Sequence, residues 1–269
     1  AKWSDGEPFT ADDIMFWYND ILLNEELLPG GLTWMKNPDG NMATVEKLSD
    51  YAVKWTFAVP NTAFLLDLAN KDGADAQISN LVFAPAHYLK QFHASYADAA
   101  ELDAKVAEVG FSTWTELFAR EALPQLSGNR PSMAAWVPNG TSVSDPVFTI
   151  VRNPYYVGVD PAGNQLPYID EVRFTQYLDK KTLNLAAVEG KIDMQGRHID
   201  MNNYPVLVQN GEANGYRVIT WPTFGGSEAV IMFNQTWTGP EVEMFRNKDF
   251  RIALSYAINR EAIKELAFL

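Results

Sequence analysis

The chain has 269 residues, 47% of them hydrophobic, which is enough to bury one large core or two modest ones and too apolar for a disordered segment. A formal net charge of -13 with no basic run argues against nucleic acid or anionic membrane as the main partner, because phosphate surfaces are bound by neutralising them with Lys and Arg. Zero Cys removes disulfides, thiolate nucleophiles and zinc–thiolate sites while leaving the redox compartment open, and no apolar run approaches the roughly 18 to 20 residues that span a bilayer.

The chain opens Ala1-Lys2-Trp3-Ser4-Asp5, without an initiator Met, and stops within a helical pattern, so both ends read as cut from a longer protein. Asp5-Gly6 supplies a turn ahead of Thr10, an N-cap with Asp13 three residues on, the spacing of a capping box. Ile14, Trp17, Tyr18, Ile21 and Leu22 then recur at helical spacing, Asp12 and Asp13 suit the positive end of the helix dipole, and Pro29-Gly30-Gly31 ends the pattern. Residues 42–48 and 51–59 read as a hairpin about Ser49-Asp50, with Val53, Trp55, Phe57 and Val59 on its buried face. Short helices are predicted over 64–69 and 85–92, the second with Pro85 in its first turn. Longer ones are predicted over 97–109 and 113–123, where Thr113 and Glu116 repeat the capping box.

Beyond Pro131 the composition changes, and Met133-Ala-Ala-Trp136-Val-Pro-Asn-Gly140 is turn-rich. Residues 147–151 and 172–175 alternate as strands. Between them Pro154, Pro161 and Pro167, with Asp160-Pro161 and Gly163-Asn164, predict an ordered, non-helical crossing whose Tyr155, Tyr156, Tyr168 and Ile169 pack against the protein. A helix over 181–188 ending at Gly190, a short strand at 192–194, a polar loop at 195–198 and strands over 216–221 and 228–234 follow. A final helix starts at Asp249 and carries Ile252, Tyr256 and Ile263. This order predicts an α/β fold, a mixed sheet with helices on its faces.

Walker A, G-x-G-x-x-G, H-E-x-x-H and G-x-S-x-G signatures are all absent. Asn70-Lys71-Asp72-Gly73 has Ser79 where a calcium loop needs its bidentate Glu, and His87, His93 and His198 lack i, i+4 pairing, so no metal is predicted. Asn139-Gly-Thr141 and Asn234-Gln-Thr236 match a glycosylation pattern that arises readily by chance. Trp136, Trp221 and Phe224 stand beside Pro or Gly at strand ends, where rings can face a cleft, with core packing as the competing reading.

Four stretches then agree in order with one family. Lys2-Trp-Ser-Asp-Gly-Glu-Pro-Phe-Thr-Ala-Asp-Asp13-Ile14 resembles the signature segment of the family 5 extracellular solute-binding proteins. Arg152-Asn-Pro-Tyr-Tyr156 with Leu166-Pro-Tyr-Ile-Asp170 is similar to the family's strand and loop, and Glu189-Gly-Lys-Ile-Asp193 to its turn. Phe250 to Glu261 resembles its helix, with Asn259 in place of the usual Asp.

The resemblance implies a type II periplasmic-binding-protein-like fold, incomplete at both ends, with no catalysis and no cofactor. Residues 1–130 would form the extra α/β subdomain of lobe I, 131–233 part of its main sheet, and 234–269 the crossing into lobe II. It implies a monomer, periplasmic or extracellular and lipid-anchored in some members, that hands a small oligomeric solute to the permease subunits of an ABC transporter. The wording around Tyr156–Pro167 and Asp193–Ile199 is closer to the longer members associated with oligosaccharides, with oligopeptides second and nickel a minor third. Trp136, Trp221 and Phe224 are the expected stacking residues, and Gln195, Arg197 and Asn234 the hydrogen-bonding ones. A secreted carbohydrate-active hydrolase is the alternative.

Overall fold

The computed structural model describes residues 1–69, 81–221 and 230–267, and the chain divides into two compact units, Ala1–Gln176 and Tyr177–Leu269. In the first unit the N-terminal ten residues double back on themselves: Trp3 N–H donates to Glu7 O at 2.8 Å and Gly6 turns at φ +95°, a conformation Gly adopts without steric cost. This seats the Trp3 ring in the core, with its indole Nε1 donating to Asp13 at 3.4 Å.

Helix α1, Ala11–Phe16, starts from the expected capping box, Thr10 accepting from the first turn while Asp13 accepts from Thr10 N–H at 3.0 Å. The 3.6-residue pattern continues, but the backbone widens into a π-helical turn, Trp17–Leu22, where Leu23 N–H reaches Tyr18 O. Asp20 O receives His93 Nε2 at 3.0 Å, while His93 Nδ1 accepts from Ser95 N–H at 3.2 Å. His93 is therefore the neutral Nε2–H tautomer, enclosed by Phe16, Tyr96, Trp114 and Phe118, and its role is packing.

The hairpin forms, from β1, Thr44–Ser49, and β2, Ala52–Thr56, with Val45 opposite Trp55, but the second strand ends before Phe57, and Val59, expected on its buried face, is exposed. Trp55, Trp17, Trp34 and Phe64 share one aromatic cluster under it, Phe64 opening α2, Phe64–Ala69. Helix α3, Ala86–Leu89, is preceded by Pro85 as its cap and runs into a 3₁₀ turn, Lys90–Phe92. Helix α4, Ala99–Glu108, is capped by Asp98, and α5, Trp114–Ala122, by the Thr113–Glu116 box. Leu102, Val106 and Leu117 close a small core between these two.

A second sheet completes the unit. The run expected to be turn-rich contributes β3, Trp136–Pro138, which pairs antiparallel with β4, Val147–Arg152, itself antiparallel to β5, Glu171–Thr175. Three residues ending in Pro carry too little alternation to read as a strand, and only the long-range pairing makes them one. Asn153, fully buried, brackets the end of β4 by donating to Ser132 O and Ala134 O and accepting from Tyr155 N–H. Both sheets are antiparallel throughout the described residues.

The second unit is helical among the described residues. Helix α6, Lys180–Val188, is capped by Asp179 and ends at Gly190, and α7, Tyr204–Gly211, starts with Pro in its first turn. Three short stretches close the described chain: α8, Val242–Arg246; α9, Lys248–Ala257; and α10, Arg260–Ala267. The single final helix expected from Asp249 is thus two, because Asn259 breaks it and caps the second by accepting from Ala262 N–H at 3.0 Å.

The strands expected at 192–194 and 216–221 do not form, nor does the described part of 228–234. An alternating pattern becomes a strand only with a ladder partner, and Met194, Ile219 and Met232 stand exposed without one among the described residues.

Asp13 is only 5% exposed, and besides Trp3 and Thr10 it accepts from Ala86 N–H at 3.0 Å, the first amide of α3. Asp13→Ala is expected to cost about 3 kcal/mol, since it strands buried donors, against about 1 kcal/mol for the exposed cap Thr113→Ala. Urea unfolding of the full-length protein measures both, and equal losses would contradict the linking role of Asp13.

Candidate ligand-binding site

The residues singled out from the sequence fall in both units. Trp136 opens β3, partly exposed, and its indole Nε1 donates to Ile169 O at 2.9 Å, so the ring is held by its polar edge. Gln195 and Arg197 share an exposed loop pinned to α6 by buried Asn184, which donates to His198 O and accepts from Asp200 N–H. Gln195 Nε2 donates to Arg197 O within that loop, and His198 takes φ +64°, an uncommon conformation for a non-glycine residue. The Arg197 guanidinium has no partner among the described residues.

Trp221 is 77% exposed, and Phe224 lies outside the described residues, as does the stretch Asn70–Ser79 weighed as a calcium loop. Asn234 is exposed, but its Oδ1 accepts from Thr236 N–H and Oγ1, an Asx turn that occupies the acceptor proposed for a ligand. The structure therefore brings Gln195 and Arg197 together, and no hydrogen bond joins Arg197, Trp221 and Asn234 among the described residues. Two cavities of the first unit lie elsewhere. One of about 310 Å³ sits between α1, the hairpin and Phe83, and one of about 300 Å³ lies beside Asp5, Arg130 and Pro138.

Strand register exposes neighbours that sequence reading missed. Trp136 lies opposite Arg152, and Arg152 N–H donates at 2.8 Å to the carbonyl of Asp170, the residue just before β5, so Trp136, Arg152 and Asp170 line up at the end of the sheet. Arg152 Nε and Asp170 Oδ1 are 4.0 Å apart, an ion pair too long for a hydrogen bond. The alternation through Phe148, Ile150 and Arg152 held this signal, but only pairing reveals the partners.

The loop between β4 and β5 is ordered, as expected, yet two of its apolar side chains are not packed. Tyr168 is 67% exposed and Ile169 nearly as much. Tyr155 does pack in part, over Gly6 and beneath Lys2 Nζ, 5.4 Å from its ring centroid. The reason is polar. Asp160 gathers the loop by accepting from Ala162 N–H, Asn164 N–H and Nδ2, and Tyr168 O–H at 2.5 Å, so the tyrosine is fixed by its hydroxyl with its ring outward. The Tyr168 bond and then the Asn164 bonds hold the Asp160 carboxyl at about 2, and the same carboxylate raises the Tyr168 hydroxyl.

A carboxyl whose folded value is depressed stabilises the fold above its unfolded value and stops doing so as pH falls through its folded value. The loop should stay closed at pH 5 and open between about pH 4 and 2, read by the Tyr168 ring resonances. Asp160→Asn should abolish that transition, and its persistence would assign the titration to another group.

Fold neighbours define the class of protein. The chain superposes over its full extent on 38% of a structure described as the periplasmic binding protein MelB in complex with stachyose, from Agrobacterium fabrum, at 23% identity and a TM-score of 0.57. It also superposes over 98% of its length on 41% of a structure described as oligopeptide-binding protein OppA, at 38% identity and a TM-score of 0.73. The fold is that of the type II periplasmic binding proteins, and among the described residues no helix is long and apolar enough to cross a membrane. The model of the bacterial extracellular solute-binding proteins, family 5 Middle, matches residues 1–269, and the chain belongs to that family. The periplasmic alpha-galactoside-binding protein of Rhizobium meliloti is 31% identical over 278 aligned positions, covering 98% of this chain and 36% of that protein. The chain thus spans well under half the length of these relatives, all of them binding proteins by description.

Proposed function

We propose that the full-length protein is the solute-binding component of an ABC importer, capturing an oligosaccharide outside the cytoplasmic membrane and delivering it to the permease. Family membership over the whole chain is the observation that carries this reading. The 31% identical relative, named for alpha-galactosides, favours a galactoside-type sugar oligomer. The 38% identical structure, named for oligopeptides, favours the second reading, a peptide carrier. Nothing observed favours the hydrolase, and the reading is of a monomeric carrier without turnover, periplasmic or surface-anchored, that does not bind nucleic acid.

Within this reading, residues 1–130 belong to the extra subdomain of lobe I, 131–233 to its main sheet and 234–269 to the crossing into lobe II. The division between the compact units, after Gln176, falls just past β5. Trp136, Gln195, Arg197, Trp221, Phe224 and Asn234 remain proposed ligand contacts. The guanidinium of Arg197, without a partner among the described residues, and the open ring of Trp221 are the better supported, and the turn that occupies Asn234 weakens its claim.

A ligand that binds only the folded state stabilises it by about 2.7 kcal/mol at one hundred times its dissociation constant. The full-length protein should therefore show a raised Tm with the α-galactoside stachyose and little change with mixed penta-alanine and penta-lysine peptides. Shifts with the peptides alone would reverse the ranking.

A further inference from the structure

We propose that the end of the three-stranded sheet, where Trp136, Arg152 and Asp170 line up beside Tyr168, is a pyranose-binding subsite for an uncharged oligosaccharide. The inference rests on the reading of the protein as an oligosaccharide carrier, and deepens it by naming a subsite within the first unit.

The two aromatic side chains are both held by their polar tips and not by their faces. Trp136 gives its only donor to Ile169 O, and Tyr168 gives its hydroxyl proton to Asp160. Neither side chain can swing to another χ1 rotamer without breaking a hydrogen bond, and each ring keeps carbon surface toward the solvent. A ring fixed in advance loses little conformational entropy on binding, and the weakly polar C–H face of a pyranose is a complement to such a surface. A structural tyrosine would bury its ring and leave its hydroxyl wet. Tyr168 leaves its ring exposed instead, with two-thirds of its surface accessible, and Ile169 extends the apolar floor beside it.

Arg152 and Asp170 supply the other half of sugar chemistry. At 4.0 Å they neutralise each other without hydrogen bonding, and no other side-chain hydrogen bond engages either among the described residues. The guanidinium keeps its donors and the carboxylate its lone pairs, side by side at the end of the sheet, so adjacent hydroxyls of one ring could donate to Asp170 and accept from Arg152. The pair carries no net charge. A peptide carboxylate could pair with Arg152 or an ammonium with Asp170, but either would leave the other charge of the pair uncompensated, whereas a neutral polyol engages both groups at once.

The experiment is calorimetric titration of the full-length protein with stachyose, in parallel for Tyr168→Ala, Tyr168→Phe and Asp170→Asn. Tyr168→Ala should weaken binding about tenfold or more, Tyr168→Phe, which keeps the ring, by about threefold or less, and Asp170→Asn by about fivefold. Ligand-free Tm should be unchanged in Asp170→Asn, whose side chain is exposed, so that variant decides the matter if Tyr168→Ala melts early. Stachyose binding by all variants as tight as by the unsubstituted protein overturns the subsite alone. An unsubstituted protein that binds peptides and no oligosaccharide overturns the parent reading, and the subsite with it.

Discussion

The first unit depends on one buried carboxylate. Asp13 accepts from the Trp3 indole, from its own helix cap at Thr10 and from the first amide of α3 at Ala86, joining the N-terminal turn, α1 and α3 at one buried side chain. A buried carboxylate is tolerated only when its lone pairs are filled, and each filling here fixes a piece of chain. The N-terminal signature acquires a physical meaning from this: Gly6 makes the turn, Trp3 fills the core, Thr10 stops the helix from fraying, and Asp13 ties all three to an element more than seventy residues away. The aromatic box around His93 and the widened helical turn at Trp17–Leu22 are assembled on that frame.

The same logic, a single polar side chain gathering several backbone groups, recurs wherever the chain must cross without regular structure. Asn153 does it at the end of β4, Asp160 in the loop beyond, and Asn184 beneath the loop that carries Arg197. These hubs hold loops in place from the inside and so free other side chains to face outward. Tyr168 and Arg197 are the two most visible beneficiaries, and in the proposed reading their outward groups are positioned before any ligand arrives.

Local signals were legible and long-range ones were not. The capping boxes at Thr10 and Thr113 could be read because their partners lie three residues away, and the hairpin because its turn and alternation are contiguous. The π-helical turn shares its apolar spacing with an α-helix, so nothing in the pattern distinguished it. Strand β3 was missed, and strands at 192–194 and 216–221 were expected but absent, for one reason: a strand is a relation between two segments. The family motifs gave the fold and class, yet not the surface. Arg152 and Asp170 were both quoted as motif residues, but their meeting with Trp136 follows from pairing alone, and Tyr168 looked like packing until its hydroxyl was seen to be its anchor, on Asp160.

The central claim is that the full-length protein captures an oligosaccharide and releases it unchanged. Equilibrium dialysis against isotopically labelled stachyose, followed by mass spectrometry of the recovered sugar, tests it most directly. Saturable binding at one tetrasaccharide per protein chain, with intact sugar after release, is the expected result. Labelled galactose or shorter fragments accumulating with time, or no retention of the sugar at any concentration, would contradict it.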